Sequence, residues 1–343
     1  MDYNILPNSN IKVSKICLGT MTWGRQNTQK EAFDQMNYSL ERGINFFDTA
    51  ELYPVPATPD KYAVTEQIIG NWFNETKKRD KVILATKIAG PGDYTAHIRK
   101  SGFKGDSIET ALNNSLKRLK TDYIDLFQLH WPERITNTFG KRNFQYFNDS
   151  WEDNFEFILL KFKELIKSGK IRKIGLSNEN PWGIMKFLEY SKKNLPKMVT
   201  IQNPYSLLNR LFEIGSSEIC KREEVGLLAY SPLAFGILTG KYFNKNIPKN
   251  SRLDLFPRLK RYSNENSFKA ASLYNDVSKK YNISLTHLSL AFVNDRPFVT
   301  SNIIGATTIE QLKENIDSSN IKLTDEIISE INVINNRIPN PSP

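Results

Sequence analysis

Gly43-Ile44-Asn45-Phe46-Phe47-Asp48-Thr49-Ala50-Glu51-Leu52-Tyr53 contains one structural unit in miniature. Gly43 follows a helical pattern that starts at the capping box Thr28/Glu31 and runs to Arg42, so it suits the left-handed position just past a helix end. Residues 44–47 read as a mostly apolar strand. Asp48 stands where that strand opens into a loop. Tyr53 comes five positions later, just before the Pro-rich run 54–59. Helix, glycine, strand, then a long loop bearing polar groups is the pattern to follow outward.

It recurs along the chain. Strands are expected at 15–19, 44–47, 82–86, 123–129, 171–176, 199–202, 226–230 and 298–304. Helices are expected at 28–42, 65–74, 106–119 (capped by Asp106), 153–167, 181–190, 212–222, 267–281, 285–294 and 309–316, with a terminal helix over 324–335. A hairpin of 3–6 with 11–13 precedes them, and residues 339–343 are expected to be a flexible tail. Alternation of this kind means a parallel sheet with helical crossovers. The first strand leads into Leu18-Gly19-Thr20-Met21-Thr22-Trp23-Gly24, not the GxGxxG of an open dinucleotide-binding sheet. Eight strand-helix units instead fit an α/β fold of the (β/α)8 TIM-barrel type, with an N-terminal β-hairpin and an extra C-terminal helix, residues 1–338 forming a single domain.

Loop lengths indicate the working face. Helix-to-strand connections are short, as at Gly43, Lys120-Thr121-Asp122 and Ser168-Gly169-Lys170. Loops after strands two, three, four and seven are long, which marks the C-terminal rim of the barrel. Asp48 and Tyr53 follow strand two, Lys87 strand three and His130 strand four, so three neighbouring strands deliver titratable groups to one rim. Each taken alone has a bland reading: an aspartate turn former, a solvated lysine, a structural histidine. Together they describe an acid–base site. A tyrosine with an unperturbed pKa of ~10 bears a proton at neutrality, and a lysine cation eases its release. The aspartate can hold the lysine, and the histidine can direct an N–H at a carbonyl oxygen. With three histidines in the chain, a histidine-based zinc site is not expected, nor any other metal. The missing reactant is then a cofactor able to donate hydride.

The remaining composition agrees. The chain has 343 residues, 39% hydrophobic and 24% charged, a net charge of +10 and two cysteines, Cys17 and Cys220. No apolar run reaches the ~18 residues of a membrane span, and no secretory signal opens the chain. A cytoplasmic protein is expected, without membrane or nucleic-acid partners, because the basic residues are interleaved with acids, as in Lys221-Arg222-Glu223-Glu224. A positive field favours an anionic cofactor or substrate. Oligomeric state stays open, leaning to a monomer.

The motifs carry a resemblance. Leu18-Gly19-Thr20-Met21-Thr22, Gly43-Ile44-Asn45 with Asp48 and Tyr53, Leu129-His130-Trp131-Pro132, Gly175-Leu176-Ser177-Asn178, Gln202-Asn203-Pro204-Tyr205, Ala229-Tyr230-Ser231-Pro232-Leu233, Leu238-Thr239-Gly240-Lys241 and Gly305-Ala306-Thr307-Thr308 together resemble the aldo-keto reductases, most closely the Tas-like NADP(H)-dependent branch. The resemblance implies NADPH lying across the barrel mouth and reversible reduction of a small carbonyl substrate. It implies Tyr53 as proton donor, tuned by Lys87 and Asp48, with His130 positioning the carbonyl. Ser177, Asn178 and Gln202 would hold the nicotinamide carboxamide, and Tyr230 would stack on the ring. Gly19, Thr20 and Met21 would border the cofactor. Ser231, Pro232, Leu233, Gly236 and Leu238, with Lys241, would wrap the pyrophosphate, while Gly305, Thr307, Gln311 and Asn315 would meet the adenosine. Many relatives place a Lys-Ser pair and an arginine where this chain has Gly305-Ala306 and Gln311, so Arg252 is assigned to the 2′-phosphate. Trp23 and Trp131 are expected to wall the substrate pocket. The alternative is an NADPH-binding regulatory protein akin to potassium-channel β-subunits, with loop 131–150 as partner surface. In that branch the fourth rim residue is typically Asn, and His130 favours an active reductase. An isomerase or aldolase of barrel type would leave Tyr53 and His130 unexplained.

Overall fold

Eight parallel strands buried on both faces close into a barrel. The computed structural model describes residues 1–145, 150–243, 247–256 and 260–343. A two-stranded hairpin, β1 (Tyr3–Ile5) and β2 (Lys12–Ser14), precedes the barrel strands β3 (Ile16–Gly19), β4 (Phe46–Asp48), β5 (Ile83–Ile88), β6 (Ile124–Leu129), β7 (Ile171–Ser177), β8 (Met198–Pro204), β9 (Gly226–Tyr230) and β10 (Val299–Ile304). Each barrel strand pairs with the next, and β10 returns to β3 through Asn302/Ile16, Ile303/Cys17 and Ile304/Leu18. Such strands need apolar side chains on both sides, which is why most read as short continuous hydrophobic runs. The fold is a (β/α)8 TIM barrel with an N-terminal hairpin.

The helices around it are α1 (Gln29–Glu41), α2 (Val64–Thr76), α3 (Ser107–Leu119), α4 (Phe155–Lys167), α5 (Pro181–Ser191), α6 (Ser216–Arg222), α7 (Arg252–Leu255), α8 (Glu265–Lys280), α9 (Leu285–Asn294), α10 (Ile309–Asp317) and α11 (Asp325–Arg337). The Thr28/Glu31 capping box forms in full at the start of α1, satisfying backbone donors that the first turn leaves open. Asp106, by contrast, makes no side-chain cap bond. The helix expected over 212–222 is broken: a 3-10 turn, Leu211–Glu213, precedes α6, with Gly215 between them. Helix α7 lies in the long loop after β9. Among the described residues no helix is long and apolar enough to cross a membrane.

Two apolar layers hold these parts together. One lies between strands and helices and includes Ile69, Trp72, Leu112, Phe127 and Phe162. The other fills the lower barrel with Cys17, Phe46, Ala85, Leu126, Leu228 and Ile303, floored by Leu6 and Val13 around the hairpin. Because side chains alternate along a strand, the residues two positions on from Phe46, Ala85, Leu126 and Leu228 rise into the next layer. They are Asp48, Lys87, Gln128 and Tyr230. The barrel is thus apolar below and polar at its upper end.

The end of the chain differs from the expected loose tail. Pro341, Ser342 and Pro343 are buried. Ser342 N–H donates to Leu208 O at 3.0 Å, its hydroxyl lies 2.6 Å from that of Ser267, and Asn264 Nδ2 donates to Pro341 O at 2.8 Å. Prolines pre-set the extended backbone, and these bonds satisfy its polar groups.

Gly70 of α2 tests the packing. A Cβ there would lie 2.0 Å from Arg118 O of α3, a backbone atom with nowhere to move. Gly70→Ala should therefore lower stability by about 1–3 kcal/mol despite the better helix propensity of alanine, read as a reduced urea midpoint. An unchanged midpoint would contradict this packing.

Candidate active site

The polar layer begins with a buried ion pair. Lys87 Nζ donates to Asp48 Oδ2 at 2.6 Å and to Thr49 O at 2.8 Å. Lysine and aspartate come from β5 and β4, and both side chains are almost wholly buried. The other carboxylate oxygen, Oδ1, accepts from Gln202 Nε2 at 2.8 Å and from Gln128 Nε2 at 3.3 Å. An unpaired charge at this depth would be costly, so the lysine is also held by Thr49 O just past β4, and the aspartate by Gln128 of β6 and Gln202 of β8 reaching across the barrel interior. Sequence reading missed Gln128. Its signal was the strand alternation that puts residues 48, 87 and 128 each two places beyond an interior apolar residue.

Tyr53 lies directly above. Lys87 Nζ is 5.1 Å from its ring centroid, and its ring meets that of His130 edge-on at 5.8 Å. The phenol makes no hydrogen bond within the described residues and lines the cleft. Burial first, then the Asp48 charge, raises its pKa well above the usual tyrosine value, with Arg252 pulling the other way. Easing of the proton by Lys87 is therefore not the dominant influence here; the surroundings hold the proton on. His130 is held well below the usual histidine range by burial and, after it, by the Lys87 charge. It is a neutral imidazole whose Nδ1 has no partner among the described residues.

The loop bearing Tyr53 is clamped from behind. Glu51, buried beneath it, accepts from Ala89 N–H at 2.6 Å and from both terminal nitrogens of Arg99, at 2.9 and 3.0 Å. A bidentate guanidinium–carboxylate pair with low exposure fixes direction as well as distance. Two residues missed in the sequence thus tie the loop after β4 to the one after β5.

A second polar net lies across the mouth. Tyr230 Oη donates to Asn178 Oδ1 at 2.6 Å, Asn178 Nδ2 donates to His130 O at 2.8 Å, and Ser177 Oγ donates to Gln202 O at 2.9 Å. Ser177, Asn178, Gln202 and Tyr230 are therefore neighbours, beside His130. Trp131 packs on His130 at 4.9 Å and donates from Nε1 to Pro91 O at 3.1 Å, lining the cleft. Trp23 does not. It is wholly buried in the strand–helix core, its Nε1 donating to Gln35 Oε1 at 3.2 Å, because its loop folds back under α1. Leu238 is likewise a core residue and does not border the cleft. His287 Nε2–H donates to Glu314 O, 3.0 Å away, a structural contact.

The cleft measures about 2190 Å³, well beyond the ~300–1,000 Å³ typical of a small-ligand pocket. Gly19, Thr20, Met21, Ser231, Pro232, Leu233, Gly236, Lys241, Arg252, Gly305, Thr307, Gln311 and Asn315 line it. Ser231, Ala234, Phe235 and Gly236 have φ of 55°, 47°, 58° and 93°. Left-handed residues cost energy; here the turns close on themselves, Ala234 N–H donating to Ser231 O at 2.9 Å and Gly236 N–H to Leu233 O at 2.8 Å. Arg252 stacks over Phe235 at 4.6 Å, its Nη1 donates to Gln26 Oε1 at 3.3 Å, and its Nε has no partner among the described residues. Burial lowers its pKa. Lys141, Arg142, Lys241, Lys249, Arg252, Arg261, Lys269 and Arg337 border the cleft, against Asp48, Asp93 and Glu314. These features fit a large, polyanionic, elongated ligand. Within the described residues no three His, Cys, Asp or Glu side chains group as metal ligands.

The aldo/keto reductase family model matches residues 15–336. The chain belongs to that family. It is 43% identical to protein tas of Escherichia coli (strain K12), with 100% of both chains covered. It is 38% identical to an aldo-keto reductase of Babesia bovis, over 74% of this chain and 95% of that one. It is 30% identical to aldo-keto reductase YhdN of Bacillus subtilis (strain 168), over 99% and 96%. As a member of this family the chain is an oxidoreductase acting on small molecules.

Removing Lys87 strands a buried carboxylate. Lys87→Met should cost about 3–5 kcal/mol by chemical denaturation, and adding Asp48→Leu should recover part of that loss. A single substitution that is thermodynamically silent would show that the pair does not bear on stability.

Proposed function

We propose that the protein reduces aldehyde or ketone carbonyls to alcohols with NADPH, Tyr53 acting as general acid. The observation that carries this reading is the Tyr53 phenol: buried, its pKa raised by that burial, without an acceptor among the described residues, and set between His130 and the Lys87–Asp48 pair. Bound NADPH would supply the hydride to the carbonyl carbon. Tyr53 delivers the proton to the carbonyl oxygen, and the Lys87 cation beneath its ring receives the phenolate. His130, neutral, donates an N–H to the same oxygen and fixes its position. Trp131 walls the substrate.

The resemblance to aldo-keto reductases suggests how the cofactor would lie along the cleft. Ser177, Asn178 and Gln202 would hold the carboxamide, and Tyr230 would face the ring. The loop from Ser231 to Gly236, with Lys241, would take the pyrophosphate, and Gly305, Thr307, Gln311 and Asn315 the adenosine. Gly305 has open space where a Cβ would stand, allowing close approach. Arg252, a buried guanidinium without a carboxylate partner among the described residues, would take the 2′-phosphate.

Purified protein should oxidise NADPH when 4-nitrobenzaldehyde is added. Tyr53→Phe should remove turnover at least about a thousandfold while NADPH binding, read by fluorescence, stays within about threefold. Turnover that survives this substitution would sink the mechanism; wild-type NADPH binding without turnover would move the chain to the regulatory reading.

The pKa directions set the pH dependence. Burial disfavours each charged form, so His130 is still neutral as pH falls below the ordinary histidine value, and Tyr53 still protonated as it rises toward 10. kcat/KM for reduction should be level across about pH 6–9; a steep limb near 7 would contradict the assignment.

Arg252→Ala should lower NADPH affinity at least about tenfold while altering NADH affinity little, narrowing the ratio. An unchanged ratio places the 2′-phosphate elsewhere.

A further inference from the structure

Gln128 is wholly buried in the polar layer and lies outside the lining of the cleft, and the chemistry above gives it no role. On β6 it stands level with Lys87 of β5 and Gly175 of β7. Side chains level with one another in a parallel sheet point to the same face, so Gln128 enters the barrel beside Lys87. Gly175 makes room for it: a Cβ there would stand 3.3 Å from Gln128 Cγ and 2.3 Å from Thr200 Oγ1. An apolar side chain would fill that space without the cost of burying an amide.

The amide joins two groups that serve different reactants. Its Nε2 donates to Asp48 Oδ1 at 3.3 Å, and its Oε1 accepts from Gln202 Nε2 at 3.4 Å. Gln202 Nε2 also donates to Asp48 Oδ1, at 2.8 Å. A carboxylate only accepts, so both amides must turn their nitrogens to Asp48. That orientation uses both hydrogens of Gln202 Nε2 inside the barrel, and leaves Oε1 as its group for the cleft that Gln202 lines. On the other side, Asp48 Oδ2 holds Lys87 Nζ at 2.6 Å, beneath the ring of Tyr53. The two Gln128 contacts are long, so they contribute direction more than strength.

We propose that Gln128 is a positioning residue for carbonyl reduction. It fixes the Asp48–Lys87 pair under the proton donor relative to Gln202 at the nicotinamide, and so sets the spacing between proton and hydride delivery. A misplacement of about 1 Å at reacting groups can cost on the order of a hundredfold in rate, which gives two long hydrogen bonds an influence beyond their energy. The proposal rests on the carbonyl-reductase reading for the two deliveries, not for the coupling of Gln128 to the layer.

Two variants test it. Gln128→Met keeps the reach of the side chain and removes the amide, whereas Gln128→Asn keeps the amide and withdraws it by one methylene. NADPH bound to excess protein is mixed with saturating 4-nitrobenzaldehyde, and the rate of the single turnover should fall at least about tenfold in both. The NADPH Kd and the aldehyde concentration giving half-maximal rate should stay within about threefold, a split that general loosening of the barrel would not give. In parallel, cofactor-free protein carrying ring-Cζ ¹³C-labelled tyrosine is compared by NMR. The Tyr53 signal should move in both variants and that of Tyr3, on the hairpin, should not, each being identified by its loss in the corresponding Phe variant. A folded variant of either kind that turns over at the wild-type rate would overturn the proposal, as would an unmoved Tyr53 signal; should one variant not fold, the other carries the test. If the wild type reduces no aldehyde, the reductase reading falls, and the Tyr53 signal alone decides whether Gln128 holds the layer.

Discussion

The Asp48–Lys87 pair is the constraint around which the upper barrel is arranged. Two opposite charges, both nearly out of water, persist there because Thr49 O, Gln128 and Gln202 complete their hydrogen bonds. A well-packed apolar pair of similar size would generally serve stability as well or better. The polar layer therefore marks a site where stability is subordinate to chemistry. Its placement follows from strand periodicity: apolar residues fill the barrel floor, and the positions two residues further carry the charges and amides.

From this layer the site grows upward. Tyr53 rests over the lysine, His130 meets its ring edge, and the Glu51–Arg99 clamp holds the intervening loop. Tyr53 and His130 are both kept uncharged by burial, a phenol that keeps its proton and an imidazole that declines one. Around them the cleft is lined mostly by cations, which complements an anionic ligand.

Much of this was legible in the sequence, and the rest was not for physical reasons. Hydrophobic period, capping residues and loop lengths revealed the barrel and its working rim, because those signals are local. The Thr28/Glu31 box formed as read, and residues 48, 53, 87 and 130 converge in space. What failed was direction. Trp23 lies in the expected loop but turns into the core, and Leu238 does the same, since loop position does not say which way a side chain faces. The final prolines read as a free end, yet they dock through bonds to residues far back in the chain.

The central claim is that Tyr53 keeps its proton across neutrality because of burial and the Asp48 charge. It is tested most directly by NMR titration of protein carrying ring-Cζ ¹³C-labelled tyrosine, with the Tyr53 signal identified by its loss in Tyr53→Phe. The account predicts a chemical shift that stays level up to about pH 10, the unperturbed tyrosine value. A titration step near pH 7–8 would contradict it.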